Sequence, residues 1–510
     1  MREAHGFSGA VASEWMPASL VGLGILREGG NAADAAVAVS LASAVGIPHL
    51  GGVGGDYFAL ARLPGGGYFF VNGSGHAPRR LTRGLLEGMG YSRMPEWGPL
   101  SATVPGMIEG LHALWRRLGS MEWRRLVEPA ARMAREGFPA PRSLVEYVRA
   151  SWGRLSRDPG SREAYAPLLE AGPGDRVRFP GLARLLELVA EDPRAFYEGE
   201  PAEALESYLG QRGGVMEAGD LRGYSAWVGE PVRSEYRGWR LAEMPPNTQG
   251  LTTLHILKVL EQWSLPRDPL ARAPLVVRAS PPCYELRDRE LGDPRYMRVS
   301  VDYLLSEEVV GELRSKASSH TGAPRCGPGP GGDTTFYAVA DGEGLLVAGI
   351  QSLFYPFGSH VTEPRFQVTL NSRAQGFTLE PGHPNSLEPG KRPLHTLSAL
   401  VMEGPGDRLV AIGTSGGHYR PQQHALLATS IVDAGMSPGE AVAAPRILWA
   451  PGTCSLVVDE GLEARAEELL PGLRARAGRT GVAAIVELDA SRGVYTAATD
   501  HRGEGYPVTF

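Results

Sequence analysis

Apolar positions recur with a helical period soon after the N-terminus, and the period breaks at paired glycines. Pro17 to Arg27 reads as a helix closed by Gly29 and Gly30, since glycine accepts the left-handed backbone that ends a helix. Asn31 then stands where a cap belongs, and Asp34 puts a carboxylate at the positive end of a second helix. That second segment, AADAAVAVSLASAV, is apolar nearly all round, the pattern of a helix buried on every face. The pair forms a helical hairpin. It leads into PHLGGVGGDYFALARL, where glycines turn the chain into a strand. Gly51, Gly52, Gly54 and Gly55 invite comparison with a phosphate loop, but no Lys-Ser/Thr follows. The order helix, glycines, strand is also the reverse of a nucleotide motif.

From about residue 105 to 320 the pattern is mostly helical, with Met107–Leu118, Glu122–Glu136 and Thr252–Trp263 as the clearest segments. This reads as a helical outer layer. Between Ala317 and Asp333 the composition switches to ASSHTGAPRCGPGPGGD, which by its glycine and proline content is a linker without regular structure. Beyond it the chain becomes strand-like: TTFYAVAD, a DGEG turn and LLVAGIQS make a hairpin. Further strands are expected at Leu397–Met402, Arg408–Ile412, Ala483–Leu488 and Val494–Ala498, with a helix over Gln422–Ala434. A helical first part and a strand-rich second part sharing one core predict sheets sandwiched by helices.

With 510 residues, the chain exceeds what one simple core supports, so two domains or one large layered domain is expected. An apolar share of 43%, a charged share of 21% and a formal net charge of -6 give no reason to invoke nucleic acid or an anionic membrane. Small-molecule chemistry is the better starting point. Lysine occurs only at Lys258, Lys316 and Lys391, a bias that leaves the functional reading unchanged. Cys283, Cys326 and Cys454 are an odd number without CxxC spacing, which argues against a disulfide framework, against a zinc site and for a reducing compartment. No metal or cofactor is called for. The N-terminal stretch has no apolar run behind a basic start and no segment reaches the length of a membrane span. The expected location is therefore cytoplasmic, unless a signal peptide precedes this stretch.

A flexible segment ending at Asp333-Thr334, just before a strand, is what a self-cleaving hydrolase needs. The Thr334 hydroxyl could attack the carbonyl of Asp333, and cleavage would leave Thr334 with a free α-amine. That amine, with an ordinary pKa of about 7.7, can take the proton from the hydroxyl of its own residue. Neither histidine nor metal would be needed. Taken alone, the segment reads more readily as a loop leading into an ordinary hairpin.

Longer stretches decide between these. GAVASEWMPASLVGLGILREGGNAADAAVAVSLASAVGIPHLGGVGGDYFAL, SATVPGMIEG, MPPNTQG, ELRDRELGDP, DTTFYAVAD, PGKRPLHTLSALV and GTSGGHYRPQQ resemble, in the same order, the γ-glutamyltransferase family. The resemblance implies an α+β fold, the four-layer αββα sandwich of N-terminal-nucleophile hydrolases, with a helical outer layer from the large subunit. It also implies cleavage into a large subunit, 1–333, and a small catalytic subunit, 334–510. These would form a heterodimer able to pair into a dimer of heterodimers. Thr334 would be the nucleophile. Gly416 and Gly417 match the pair whose N–H groups form the oxyanion hole, and Ser352 falls where a hydroxyl residue assists the nucleophile. Read simply as local structure, the glycines are a tight turn and Ser352 a solvent-facing strand residue.

The chain departs from the family where the substrate binds. The arginine expected before a Met-Ala-Pro-like triplet is replaced by Ser74, in NGSGHAP. The asparagine, glutamine and aspartate of γ-glutamyl enzymes correspond to Phe354, Arg373 and Gly376, and a serine pair to His395 and Thr396. Loss of the acidic partner removes the counter-charge for an α-ammonium, while Arg373 adds a planar fork suited to a carboxylate. As a bare sequence feature Arg373 is a surface arginine. These changes resemble the hydrolytic branch that includes oxamate amidohydrolase and cephalosporin acylases. The expected substrate is a small anionic amide, hydrolysed through an acyl-enzyme. The alternatives are a true γ-glutamyltransferase or glutathione hydrolase, and an uncleaved, non-catalytic homologue.

Overall fold

Two seven-stranded antiparallel sheets face one another at the centre of the computed structural model, which describes residues 2–319 and 333–510. In chain order their strands are β1 (Arg2–Gly6), β2 (Gly9–Ser13), β3 (Asp56–Arg62), β4 (Tyr68–Gly73), β5 (Trp227–Gly229), β6 (Val232–Tyr236) and β7 (Trp239–Glu243). They continue with β8 (Asp333–Asp341), β9 (Leu346–Phe354), β10 (Leu400–Gly404), β11 (Arg408–Thr414), β12 (Ala483–Asp489), β13 (Val494–Thr499) and β14 (Val508–Thr509). The first sheet has the order β14-β2-β8-β9-β3-β4-β5 and the second β1-β13-β12-β11-β10-β7-β6. Between them lies a layer rich in alanine, including Ala338, Ala348, Ala411 and Ala484, filled out by Phe58, Phe70 and Phe336. Gly413 belongs to this close approach, because a Cβ there would lie 1.9 Å from the Phe336 ring.

Helices cover both outer faces. Helices α1 (Met16–Arg27), α2 (Ala32–Gly46), α3 (Met107–Leu118) and α4 (Trp123–Glu136) share a core with the first sheet. Helices α5 (Gly250–Leu260), α6 (Pro269–Glu290), α7 (Glu307–Ser319) and α8 (Arg420–Val432) do so with the second. The layers are therefore helix, sheet, sheet, helix, as expected of this α+β chain. The helical hairpin is built as its sequence predicts: Asn31 Oδ1 accepts the Ala33 and Asp34 N–H groups, the Asp34 carboxylate accepts the Asn31 N–H, and every residue of α2 is buried. The hairpin β8/β9 and the strands β10 to β13 also fall where they are expected.

Three expectations need correction. The sheets are not the property of the second part of the chain, because β1 to β7 precede residue 333. Strands β5 and β6 are short and half-exposed, so they carry little of the apolar signal that marks a strand. The helix expected over Gln422–Ala434 is present as α8. Ala317–Ser319 complete α7 rather than start a linker, and the remainder of that segment, 320–332, lies outside the described residues. Cys454 is disulfide-bonded while Cys283 is a buried free thiol. Cysteine count and spacing do not report which sulfurs the fold brings together, so the compartment inferred from them loses its support.

Candidate active site

The site begins as a row across one end of the first sheet. Asp333 pairs with Phe354 and Thr335 with Gln351, so Thr334 alone faces Ser352 and Leu353 across an irregularity of the ladder. A bulge of this kind bends the strand and re-aims the side chain beside it. Ser352 pairs in turn with Asp56 at the start of β3, and Ser74 follows Gly73, the partner of Tyr57. Thr334, Ser352, Asp56 and Ser74 thus occupy neighbouring strands at one level. All four are at most 1% exposed. Ser352 is therefore no solvent-facing strand residue, and its Oγ accepts the Phe354 N–H at 2.7 Å.

The glycine run beneath this row has a packing reason. A Cβ on Gly55 would lie 2.5 Å from the Ser352 carbonyl oxygen, and one on Gly54 would lie 2.2 Å from that of Thr369. The run brings backbone against backbone under the row.

Arg373 is fully buried, which removes the surface-arginine reading. Its Nε donates to Asp56 Oδ2 at 3.0 Å and its Nη1 to Thr396 Oγ1 at 3.2 Å. The guanidinium lies 4.4 Å from the centre of the Phe354 ring, and Nη2 has no hydrogen-bond partner among the described residues. Asp56 also accepts from His395 Nε2 at 3.0 Å and from the Gly75 N–H at 2.9 Å. Because the Leu397 N–H donates to His395 Nδ1, the ring proton sits on Nε2, toward Asp56. Burial, then the neighbouring Arg373, pushes the His395 pKa down to about 3, so the ring is neutral. Burial opposes ionisation of Asp56, but His395, Arg373 and the Gly75 amide outweigh it and hold the carboxyl below its usual range.

Asp56 corrects the charge argument made from sequence. Arg373 is not a lone cation but half of a buried pair, so what it offers a ligand is a directed donor at Nη2 rather than a net charge. The wider surroundings are cationic nonetheless. His418, in the turn after Gly417, is pushed well below the usual histidine range by burial and then by Arg287, Arg373 and Arg420.

The second sheet supplies the facing wall. His395 and Thr396 precede β10, Asn247 to Gln249 follow β7, and Gly416 and Gly417 follow β11, all at one end because β10 is antiparallel to both neighbours. Gly416 has φ +132° and Gly417 φ +54°, which favour glycine at both. A Cβ on Gly416 would also lie 2.5 Å from Gln423 Nε2. Gln249 Nε2 donates to the carbonyls of Thr396 and Gly417 at 2.8 and 2.9 Å, and Arg420 Nε donates to that of Thr414 at 2.8 Å. The glycine turn is thereby fixed to the segment that carries His395 and Thr396. Neither Gly416 nor Gly417 directs its N–H to another group among the described residues.

Ser74 is committed to the framework. Its Oγ donates to Asn72 Oδ1 at 2.7 Å, and Asn72 Nδ2 donates to Asn247 Oδ1 at 2.8 Å, which links the two sheets. Gly376 contributes only a carbonyl, accepting from Asn385 Nδ2. The structure therefore gathers Thr334, Ser352, Arg373, His395 and Thr396, with Gly416 and Gly417 on the facing wall. Asp56, Asn247, Arg420 and His418 were missed from the sequence. For Asp56 a signal existed, because an acid opening the apolar strand YFALA needs a buried partner. Among the described residues no group of His, Cys, Asp or Glu could hold a metal ion, and no helix is long and apolar enough to cross a membrane.

Comparison with known proteins agrees with this architecture. The Gamma-glutamyltranspeptidase family model matches residues 18–510. The glutathione hydrolase-like YwrD proenzyme of Bacillus subtilis is 35% identical over 86% of this chain and 84% of its own length. The oxamate amidohydrolase proenzyme of Klebsiella pneumoniae is 33% identical over 87% of this chain and 86% of its own. Among solved structures, the cephalosporin acylase from Bacillus halodurans superposes with a TM-score of 0.92 at 31% identity, covering 100% of this chain and 97% of that one.

Proposed function

The chain belongs to the gamma-glutamyltranspeptidase family and is a hydrolase of amide bonds, and we propose that it is a self-processed N-terminal-threonine enzyme acting on small amides that carry a carboxylate. The observation that carries this reading is the buried Arg373, held by Thr396 and by Asp56 of the Thr334 row, with Nη2 left over. A carboxylate on the acyl part of the substrate fits that Nη2, with Thr396 and the neutral His395 behind it.

Cleavage between Asp333 and Thr334 divides the chain into 1–333 and 334–510, which stay together because each contributes seven strands to the shared sheets. The proenzyme names of the two relatives support this. The Thr334 hydroxyl then attacks the substrate carbonyl, and its proton passes to the α-amine of the same residue. The tetrahedral oxyanion takes hydrogen bonds from the Gly416 and Gly417 N–H groups. Collapse breaks the C–N bond, and the departing amine leaves with the proton from the α-ammonium. Water, deprotonated by the same amine, attacks the ester and releases the acid. Ser352, buried opposite Thr334, supports the nucleophile.

Oxamate and glutaryl amides assayed beside γ-glutamyl-p-nitroanilide test the substrate claim. Hydrolysis of the carboxylate-bearing amides with weak γ-glutamyl turnover is expected. Robust γ-glutamyl turnover would defeat the claim and favour a glutathione hydrolase, in which Asp56 would have to release one of its three donors to hold an ammonium.

A further inference from the structure

The turn after β11 carries more than its two glycines. His418 follows Gly417, and its backbone is pinned. The Tyr284 hydroxyl of α6 donates to its carbonyl at 2.5 Å, and the Tyr419 N–H returns to the Gly416 carbonyl at 3.0 Å. The His418 ring meets the Phe354 ring of the first sheet edge-on, at 6.3 Å between centres. Phe354 is also the ring that carries the Arg373 guanidinium, at 4.4 Å. Phe354 holds this place with φ +83°, a backbone conformation that residues other than glycine rarely adopt and that clusters at functional sites. Its N–H is fixed on Ser352 Oγ. The glycine turn, His418, Phe354 and Arg373 thus follow one another in space.

His418 has one polar atom sealed inside and unused. Nδ1 is closed to solvent and has no hydrogen-bond partner among the described residues, although the residue as a whole is partly exposed. Burial, then the cations Arg287, Arg373 and Arg420, keeps the ring neutral. A neutral imidazole carries one proton, and placing it on Nδ1 would bury an unpaired N–H among cations. The proton therefore belongs on Nε2, and Nδ1 is an acceptor without a donor.

In the hydrolysis set out above the acyl group is held at both ends, its carbonyl oxygen at Gly416 and Gly417 and its carboxylate at Arg373 Nη2. His418 stands between those points, since it adjoins Gly417 in the chain and shares the Phe354 ring with Arg373. Three neighbouring guanidiniums disfavour a donor that is itself a cation. Resting on that amidohydrolase reading, we propose that His418 is a specificity-determining residue for the acyl half of the substrate, and that its Nδ1 accepts from a hydroxyl on the carbon beside the acyl carboxylate. The preferred substrates are amides of hydroxy dicarboxylic acids, and an ammonium on the same carbon is rejected.

The test uses the mature protein and three p-nitroanilides, glutaryl, 2-hydroxyglutaryl and γ-glutamyl, which differ only in carrying hydrogen, hydroxyl or ammonium beside the free carboxylate. For the better enantiomer of the hydroxy amide, kcat/KM should exceed that of the glutaryl amide about fivefold, and the γ-glutamyl amide should be slowest. His418→Phe keeps a ring but removes the acceptor, and should bring the hydroxy-to-glutaryl ratio to one. His418→Asn, whose Oδ1 takes the place of Nδ1, should retain most of it. A wild-type ratio of one, γ-glutamyl turnover that matches the hydroxy amide, or a ratio that survives in His418→Phe overturns the proposal. Calorimetry with free 2-hydroxyglutarate and glutarate separates it from the reading on which it rests. Tighter binding of the hydroxy acid, lost in His418→Phe, with none of the amides hydrolysed, upholds the role of His418 and sinks the amidohydrolase reading. Hydrolysis without a hydroxyl preference does the reverse.

Discussion

Replacing Arg373 by alanine removes two things at once, and the structure separates their sizes. Asp56, fully buried, loses one of the two donors on its Oδ2 and keeps His395 on that oxygen and the Gly75 amide on the other. Breaking one side of a buried ion pair costs about 3–5 kcal/mol, and the two surviving donors place this case near the lower end. The second loss is the donor at Nη2, which a substrate carboxylate would use. A hydrogen bond to a charged group contributes about 1.5–3 kcal/mol, so KM for an anionic amide should rise roughly 10- to 150-fold at about 1.4 kcal/mol per decade. Urea unfolding measures the first effect. The second is measured as the ratio of KM values for a glutaryl amide and its neutral methyl ester, which cancels a general loss of active protein. Arg373→Lys should recover part of the stability but not the ratio, since one ammonium cannot reach Asp56, Thr396 and a ligand together. An unchanged ratio in Arg373→Ala would refute the carboxylate assignment, and unchanged unfolding would refute the ion-pair argument.

Gly416→Ala should lower kcat about 100-fold with little effect on KM, because the added Cβ meets Gln423 Nε2 and displaces the proposed oxyanion donor; an equal fall for Gly435→Ala would reduce this to general glycine strain. Asp56→Asn should destabilise by about 3–5 kcal/mol at pH 7. The folded pKa of Asp56 lies below its usual value of 3.8, so its contribution is complete above that value and fades as pH falls through the folded one. The gap between wild type and variant, followed by urea unfolding, should therefore narrow in strong acid and persist at pH 5. His395, with a pKa of about 3, should show a neutral imidazole by NMR at pH 5. The acid limb of kcat/KM should then report the Thr334 α-amine, at about 7–8; a limb that disappears in His395→Asn would reassign the base.

Much of the fold was legible because its signals are local. A capping box, an all-apolar helix and a hairpin turn are written in a dozen neighbouring residues, and α2 and β8/β9 follow them. Strands β5 and β6 escaped because they are short and half-exposed, and position rather than hydrophobicity makes them strands. The same divide runs through the site. Gly416 and Gly417 carry a backbone requirement that a glycine pair advertises. Arg373 does not announce its burial, because the carboxylate that permits it is Asp56, 317 positions away. A charge and its counter-charge are distant in the chain and adjacent only in the fold, so the sequence alone gives Arg373 no neutralising partner. Cys454 makes the point again, bonded where count and spacing spoke against it.

The most direct test of the account is the intact mass of the purified protein under denaturing conditions. Two chains are predicted, 1–333 and 334–510, the second beginning with Thr334, with a Thr334→Ala variant staying whole and inactive. A single full-length species of 510 residues that persists through prolonged incubation yet hydrolyses amides would contradict it.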